Sequence, residues 1–170
     1  MRRFDYDSTR NSLRWMSLIH QKRKHLICLS NYRSIVVNVL NRRRQPFPLS
    51  VDIEGCETVP CNVIKGSTAI MNVHFVGTRD NTKKITGVVH ATSLGITIPY
   101  PLPDEVADVC SNLLYGAECP IDETEDVVYN FKFDVDSSYP EVSVKVQLDL
   151  VDELNQSVAC FIADIKVQKG

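Results

Sequence analysis

The chain has 170 residues, of which 44% are hydrophobic and 24% charged, with a formal net charge of −2. That length can bury a real core and leaves room for one domain plus an appendage, while no run approaches the ~20 apolar residues of a membrane-crossing helix. The near-neutral average hides a split: residues 1–48 carry 11 Lys/Arg against two acids, and residues 49–170 carry eight against 19. A basic segment therefore precedes an acidic domain.

Residues 1–48 match no targeting class. A secretory signal needs a continuous apolar core of roughly 7–15 residues, but His25 to Ser30 is short, and Asn31, Tyr32 and Arg33 interrupt it before Ile35 to Leu40. No signal peptide is expected in the chain as it stands, and Asp5 and Asp7 count against a mitochondrial presequence. The clusters Lys22 to Lys24 and Arg42 to Arg44 read as solvated or disordered sequence rather than a nucleic-acid contact. A boundary falls near Pro46 and Pro48, where basic clusters give way to regular alternation.

Leu49, Val51 and Ile53 alternate with Ser50, Asp52 and Glu54, as in a half-buried strand that Gly55 breaks. A second strand covers 68–76, with Ala69, Met71, Val73 and Phe75 on one side, and a third covers roughly 85–93 after a polar turn. The segment Pro99-Tyr-Pro-Leu-Pro103 lacks backbone donors and must be an edge or a connecting loop. Tyr100 there either leans across the end of the apolar interior or caps a rigid turn. Asp104 to Val109 allows one helical turn. Alternation is cleanest at 142–150, where Val142, Val144, Val146, Leu148 and Leu150 share a face. A last strand, about 158–167, is partly apolar on both sides. Short strands separated by turns predict an all-β sandwich of two antiparallel sheets.

Cys56 and Cys61 enclose four residues, and Cys110 and Cys119 enclose eight. Two disulfides fit these spacings better than a zinc site, which favours paired Cys-x2-Cys knuckles; no metal is expected. Cys28 and Cys160 remain, and their pairing would complete an even six. His74 and His90 fall in predicted strands outside any catalytic signature, and there is no glycine-rich phosphate loop, so neither an enzyme nor a cofactor is expected. Asn155-Gln-Ser157 is an N-glycosylation sequon.

In order, Val51 to Cys56, Pro60-Cys61, Lys65-Gly66, Val88 to His90, Gly95 to Pro103, Cys110, Cys119 to Ile121, Ser138 to Pro140 and Asn155 to Cys160 resemble the ML lipid-recognition domain. Within it they are most similar to the secreted Niemann-Pick type C2 group of sterol-transfer proteins. Each piece is weak alone, but the ordered set is specific. The resemblance implies an immunoglobulin-like sandwich with an apolar cavity between its sheets, holding a sterol, fatty acid or other lipid. By matching positions the lining should include Ile53, Val63, Ala69, Met71, Ile98, Tyr100, Val135, Tyr139, Pro140, Val142, Val144, Val146, Leu148 and Phe161. It further implies a monomer in an extracellular or endolysosomal setting, delivering lipid to a membrane sterol transporter or presenting it to an immune receptor, or serving as a chemical-signal carrier.

The sequence departs from that pattern in places. Ala69 stands where the sterol-transfer proteins carry a large aromatic, and Leu148 and Phe161 stand at tryptophan positions, so the pocket should differ in size or shape. The family's first strand carries a cysteine that bonds the one matching Cys160, yet Asn41 occupies its expected place. Residues 1–48 are therefore expected to be a non-native segment from an alternative or misjoined first exon, and residues 49–170 a lipid-binding domain without its usual first strand. Cys160 is expected to lack a partner.

Overall fold

The computed structural model describes residues 46–170. The described chain forms eight strands: β1 (Ser50–Ile53), β2 (Cys61–Ile64), β3 (Thr68–Val76), β4 (Ile85–Ser93), β5 (Ile96–Tyr100), β6 (Asp126–Asp134), β7 (Ser143–Asp152) and β8 (Ser157–Gln168). Between β5 and β6 lie a single helical turn, α1 (Asp104–Ala107), and a 3-10 turn at Cys110–Asn112. A three-stranded sheet, β1-β3-β6, faces a five-stranded sheet, β2-β8-β7-β4-β5. The fold is the all-β sandwich expected from the alternation, of the immunoglobulin-like kind that the resemblance implies.

Three details differ from the sequence reading. The strand pairs are antiparallel except one, because β2 runs parallel to β8, with Cys61 opposite Ile165 and Ile64 opposite Gln168. The chain crosses from one sheet to the other between β1 and β2, and β2 then runs beside the last four positions of β8. The second difference is β2 itself, too short at four residues to alternate visibly. The third is β6, whose inward Val127, Tyr129, Phe131 and Phe133 alternate with Val128, Asn130 and Lys132 and pair along all of β3. Its acidic approach, Asp122 to Asp126, obscured that period.

Disulfides join Cys56 to Cys61 and Cys110 to Cys119, so these four sulfurs are not zinc ligands. The first closes the crossing between the sheets. The second closes the segment that covers the opposite end of the sandwich, where Val109 and Ile121 are wholly buried. Cys160 is disulfide-bonded as well, to a partner outside the described residues. This corrects the expectation that it stands alone. The expectations for residues 1–45, including the absent first strand, also lie outside the described residues.

The inward faces of four strands change character along their length. On β3, Val73 and Phe75 are fully buried, whereas Ala69 and Met71 border a cavity. Antiparallel β6 runs the other way, from buried Val127 and Tyr129 to cavity-lining Phe131 and Phe133. β4 runs from buried Ile85 to Ala91 and Ser93, and β7 from Val144 and Val146 to buried Leu148 and Leu150. One end of the sandwich is therefore a packed core, sealed by the β5–β6 connection. There Tyr129 donates its hydroxyl to Val106 O at 2.6 Å, and Val109 N bonds Ile85 O at 3.1 Å. The other end is left hollow.

Candidate functional site

The hollow end encloses a cavity of about 400 Å³ between the sheets. Its walls come from every strand and from the β6–β7 connection, and they are almost wholly apolar. Of the residues expected to line it, Ile53, Val63, Ala69, Met71, Ile98, Tyr100, Val135, Tyr139, Pro140, Val142, Val144 and Val146 all do. Leu148 and Phe161 do not. Leu148 lies one inward step beyond Val146, where the core has closed, and is 1% exposed. Phe161, its cross-strand partner, borders a smaller crevice beside the Cys56–Cys61 disulfide. Ala69, on β3, is a small residue of the wall.

Further lining residues are Val89, Ala91 and Ser93 of β4, Ile96 of β5, Phe131 and Phe133 of β6, Ile165 and Val167 of β8, and Ile70. Most were accessible to period-two reasoning. Val89, Ala91 and Ser93 share a face, Ile96 precedes Ile98 by two, and Ile165 and Val167 continue a step of two on β8. Ile70 comes from the other face of β3 and had no such signal.

The cavity opens beside β5. Ile96 and Ile98 line it while staying 69% and 55% exposed, as residues at a mouth must. Across this opening Tyr100 packs edge-on against Phe133 of the opposite sheet, ring centres 5.4 Å apart, and Phe133 stacks on Phe131 at 6.2 Å. Such aromatic contacts add specificity of placement to their burial. Proline at position 99 is tolerated because β5 is an edge strand. Tyr100 therefore does lean across the end of the interior.

The polar side chains of the lining are Ser93, Tyr100 and Tyr139. Ser93 Oγ donates to Ser143 O at 3.2 Å. The hydroxyls of Tyr100 and Tyr139 bond each other directly. That bond, with a smaller push from burial and from the charges of Tyr100 and Asp136, raises the Tyr139 phenol to about 12. Tyr139 is therefore a neutral donor and acceptor over the working pH range. Tyr139 is set by a short turn, in which its N–H bonds Asp136 O at 3.1 Å and Asp136 Oδ1 accepts from Ser138 N at 2.7 Å. The Ser138 side-chain hydrogen bond first, and this backbone one second, hold the Asp136 carboxyl below its ordinary value.

His74 and His90 lie on β3 and β4 but not in the cavity wall; His74 Nε2 pairs with Asp126 on the outer face of the smaller sheet. Asn155 occupies the exposed β7–β8 turn with φ of 58°, and Ser157 of the same sequon donates to Asp149 Oδ1 at 2.5 Å. Among the described residues no group of three or more His, Cys, Asp or Glu is arranged to hold a metal ion.

A hollow, apolar-lined end with two phenols at its mouth suits a lipid. Comparison with known proteins agrees in family. A family model described as the ML domain matches residues 41–167. The bovine protein named NPC intracellular cholesterol transporter 2 is 33% identical over 119 residues, covering 69% of this chain and 75% of that protein. Its Drosophila melanogaster homolog a is 34% identical over 120 residues, covering 69% and 78%. Among solved structures, a Niemann-Pick type C2 protein from Japanese carpenter ant superposes with a TM-score of 0.65 over 77% of this chain and all of that one, at 18% identity, a likeness of fold. This chain belongs to the ML-domain family.

Proposed function

We propose that the protein is a lipid carrier that takes up a sterol or similar hydrophobic molecule between its two sheets and transfers it. The observation that carries this reading is the cavity of about 400 Å³ with almost no polar lining. Its size falls in the range of small-molecule sites, and burial of apolar surface would drive occupancy at about 25 cal/mol per Å². The curated relatives' name, a cholesterol transporter, supports a sterol as the first ligand to try. In this reading the lining residues bind and perform no bond chemistry.

The domain spans residues 49–170, the ligand lies along Ala69, Met71, Val144 and Val146, and its polar end faces the tyrosines. The disulfides and the Asn155 sequon suit an oxidising compartment, extracellular or endolysosomal, where a membrane sterol transporter or an immune receptor would receive the cargo. Lipids extracted from the purified full chain and identified by mass spectrometry test it. A stoichiometric sterol supports the carrier reading. A bacterial glycolipid would move the function to immune recognition, and a protein that stays empty when offered sterols and fatty acids would overturn lipid carriage.

A further inference from the structure

The cavity crosses the sandwich from side to side. Tyr100 of β5 meets Phe133 of β6 at the mouth, and those strands are edges of the two sheets. The other edges, β1 and β2, therefore close the far side, where the wall is Ile53 and Val63. A lipid that enters at the mouth points its distal end at these two residues.

Behind that wall lies the crevice beside the Cys56–Cys61 disulfide, about 150 Å³ in volume. Ile53 lines both spaces, so they stand one side chain apart. The crevice follows from how β8 is flanked. Pro46 O accepts from Cys160 N at 2.9 Å, and β2 takes up its pairing at Ile165. Among the described residues no strand pairs with that edge between these points. Phe161 and Ala163 form an apolar floor over this stretch, and Asp52, Glu57 and Thr58 stand at the exposed rim.

The packed end offers no such room. Val73, Phe75, Leu148 and Leu150 are at most 1% exposed, and displacing any of them disrupts close-packed core. Ile53 differs. It is the last residue of β1, half-buried, and has open volume on two sides, so another staggered rotamer has space to occupy.

We propose that the crevice is a rear extension of the lipid site, into which alkyl chains too long for the cavity pass by displacing the Ile53 side chain. This rests on the carrier reading and adds a chain-length specificity to it. Cargo that outgrows about 400 Å³ gains about 150 Å³ more. A crevice that held only water would leave long chains to protrude from the mouth.

The test titrates the full 170-residue chain with straight-chain fatty acids lengthened two carbons at a time. Ile53→Ala, Glu57→Trp and Thr58→Trp are measured alongside, with thermal melting to verify folding. Glu57 and Thr58 are exposed and lie outside the cavity wall, so a tryptophan at either fills the crevice from the solvent side. Each methylene that finds apolar surroundings adds up to about fourfold in affinity. Wild type should keep gaining past the length at which both tryptophan variants stop. Its ratio of longest-chain to shortest-chain affinity should exceed theirs by at least about tenfold. Ile53→Ala should move the optimum to longer chains. The same optimum in wild type and both folded tryptophan variants, or an Ile53→Ala optimum at shorter chains, overturns the extension and leaves the carrier reading standing. So does a protein that binds a sterol but no fatty acid of any length. Failure to bind either class overturns both.

Discussion

Val146 and Leu148 point the same way from β7, two residues apart, yet Val146 forms cavity wall and Leu148 is sealed core. That single step marks where the sandwich changes from hollow to packed. Substitutions at the two positions should have opposite signatures. Val146→Phe adds atoms to empty space, so it should reduce lipid affinity at least about tenfold with little change in melting temperature. The usual overpacking cost of ~1–3 kcal/mol belongs to filled cores. Leu148→Ala removes core atoms and should cost ~2–5 kcal/mol, measured by urea unfolding, with a milder effect on ligand. If both variants lose stability equally, the hollow end is not hollow in solution.

The same boundary explains what was legible in the sequence. Alternation at 142–150 identifies Val144, Val146, Leu148 and Leu150 as inward, because side-chain direction along a strand follows from the period alone. It cannot tell wall from core, since both are apolar and inward; that depends on how far the facing sheet stands away. Ala69, expected at the wall from its matching position, does line the cavity. Phe161, expected in the wall, instead borders the crevice by the disulfide. The Tyr100–Tyr139 bond joins residues 39 apart, and no local pattern encodes it. β6 carried a readable Val-Tyr-Phe-Phe period that its acidic lead-in concealed.

The β7–β8 turn makes acid stability predictable in sign. Arg79 Nη2 reaches Glu153 Oε1 at 2.7 Å and Asp152 Oδ2 at 3.2 Å. The Arg79 hydrogen bond is the largest of the effects that pull the Glu153 carboxyl down from 4.5 to about 2. A carboxyl depressed in the folded state contributes its full stability above pH 4.5 and loses it as pH falls toward 2. Glu153 is solvent-screened, so the effect is modest. Glu153→Gln should flatten the fall in melting temperature within that window and leave the curve above it parallel to wild type. A variant whose acid limb keeps the wild-type slope would remove Glu153 from the account.

Transfer requires the cavity mouth to meet a membrane, and the residue best placed to touch one first is Leu94. It is 97% exposed, at the tip between β4 and β5, two residues before the lining residue Ile96. Burying one leucine is worth ~1.5–3 kcal/mol. Leu94→Asp should therefore slow sterol exchange between neutral vesicles about tenfold, read by fluorescence transfer, while equilibrium affinity in detergent-free solution stays as in wild type. Equal transfer rates would place the contact elsewhere on the surface.

Gly77 tests the packed end directly. It follows β3, and its amide bonds Glu125 O at 2.8 Å while its carbonyl accepts from Thr124 N at 2.9 Å. A methyl group there would sit 2.0 Å from Asp122 O and 2.9 Å from the Ile121 side chain. Backbone cannot yield as a flexible side chain can, so the end of the β5–β6 connection must move away from Gly77 to admit it. Gly77→Ala should lower stability by more than the ~1–3 kcal/mol of ordinary overpacking, with faster amide exchange at Gly77, Thr124 and Glu125. Because the clash lies at the closed end, lipid affinity per folded molecule should change less than stability does. A Gly77→Ala protein with wild-type melting and exchange would mean that the loop at Asp122 moves aside without cost.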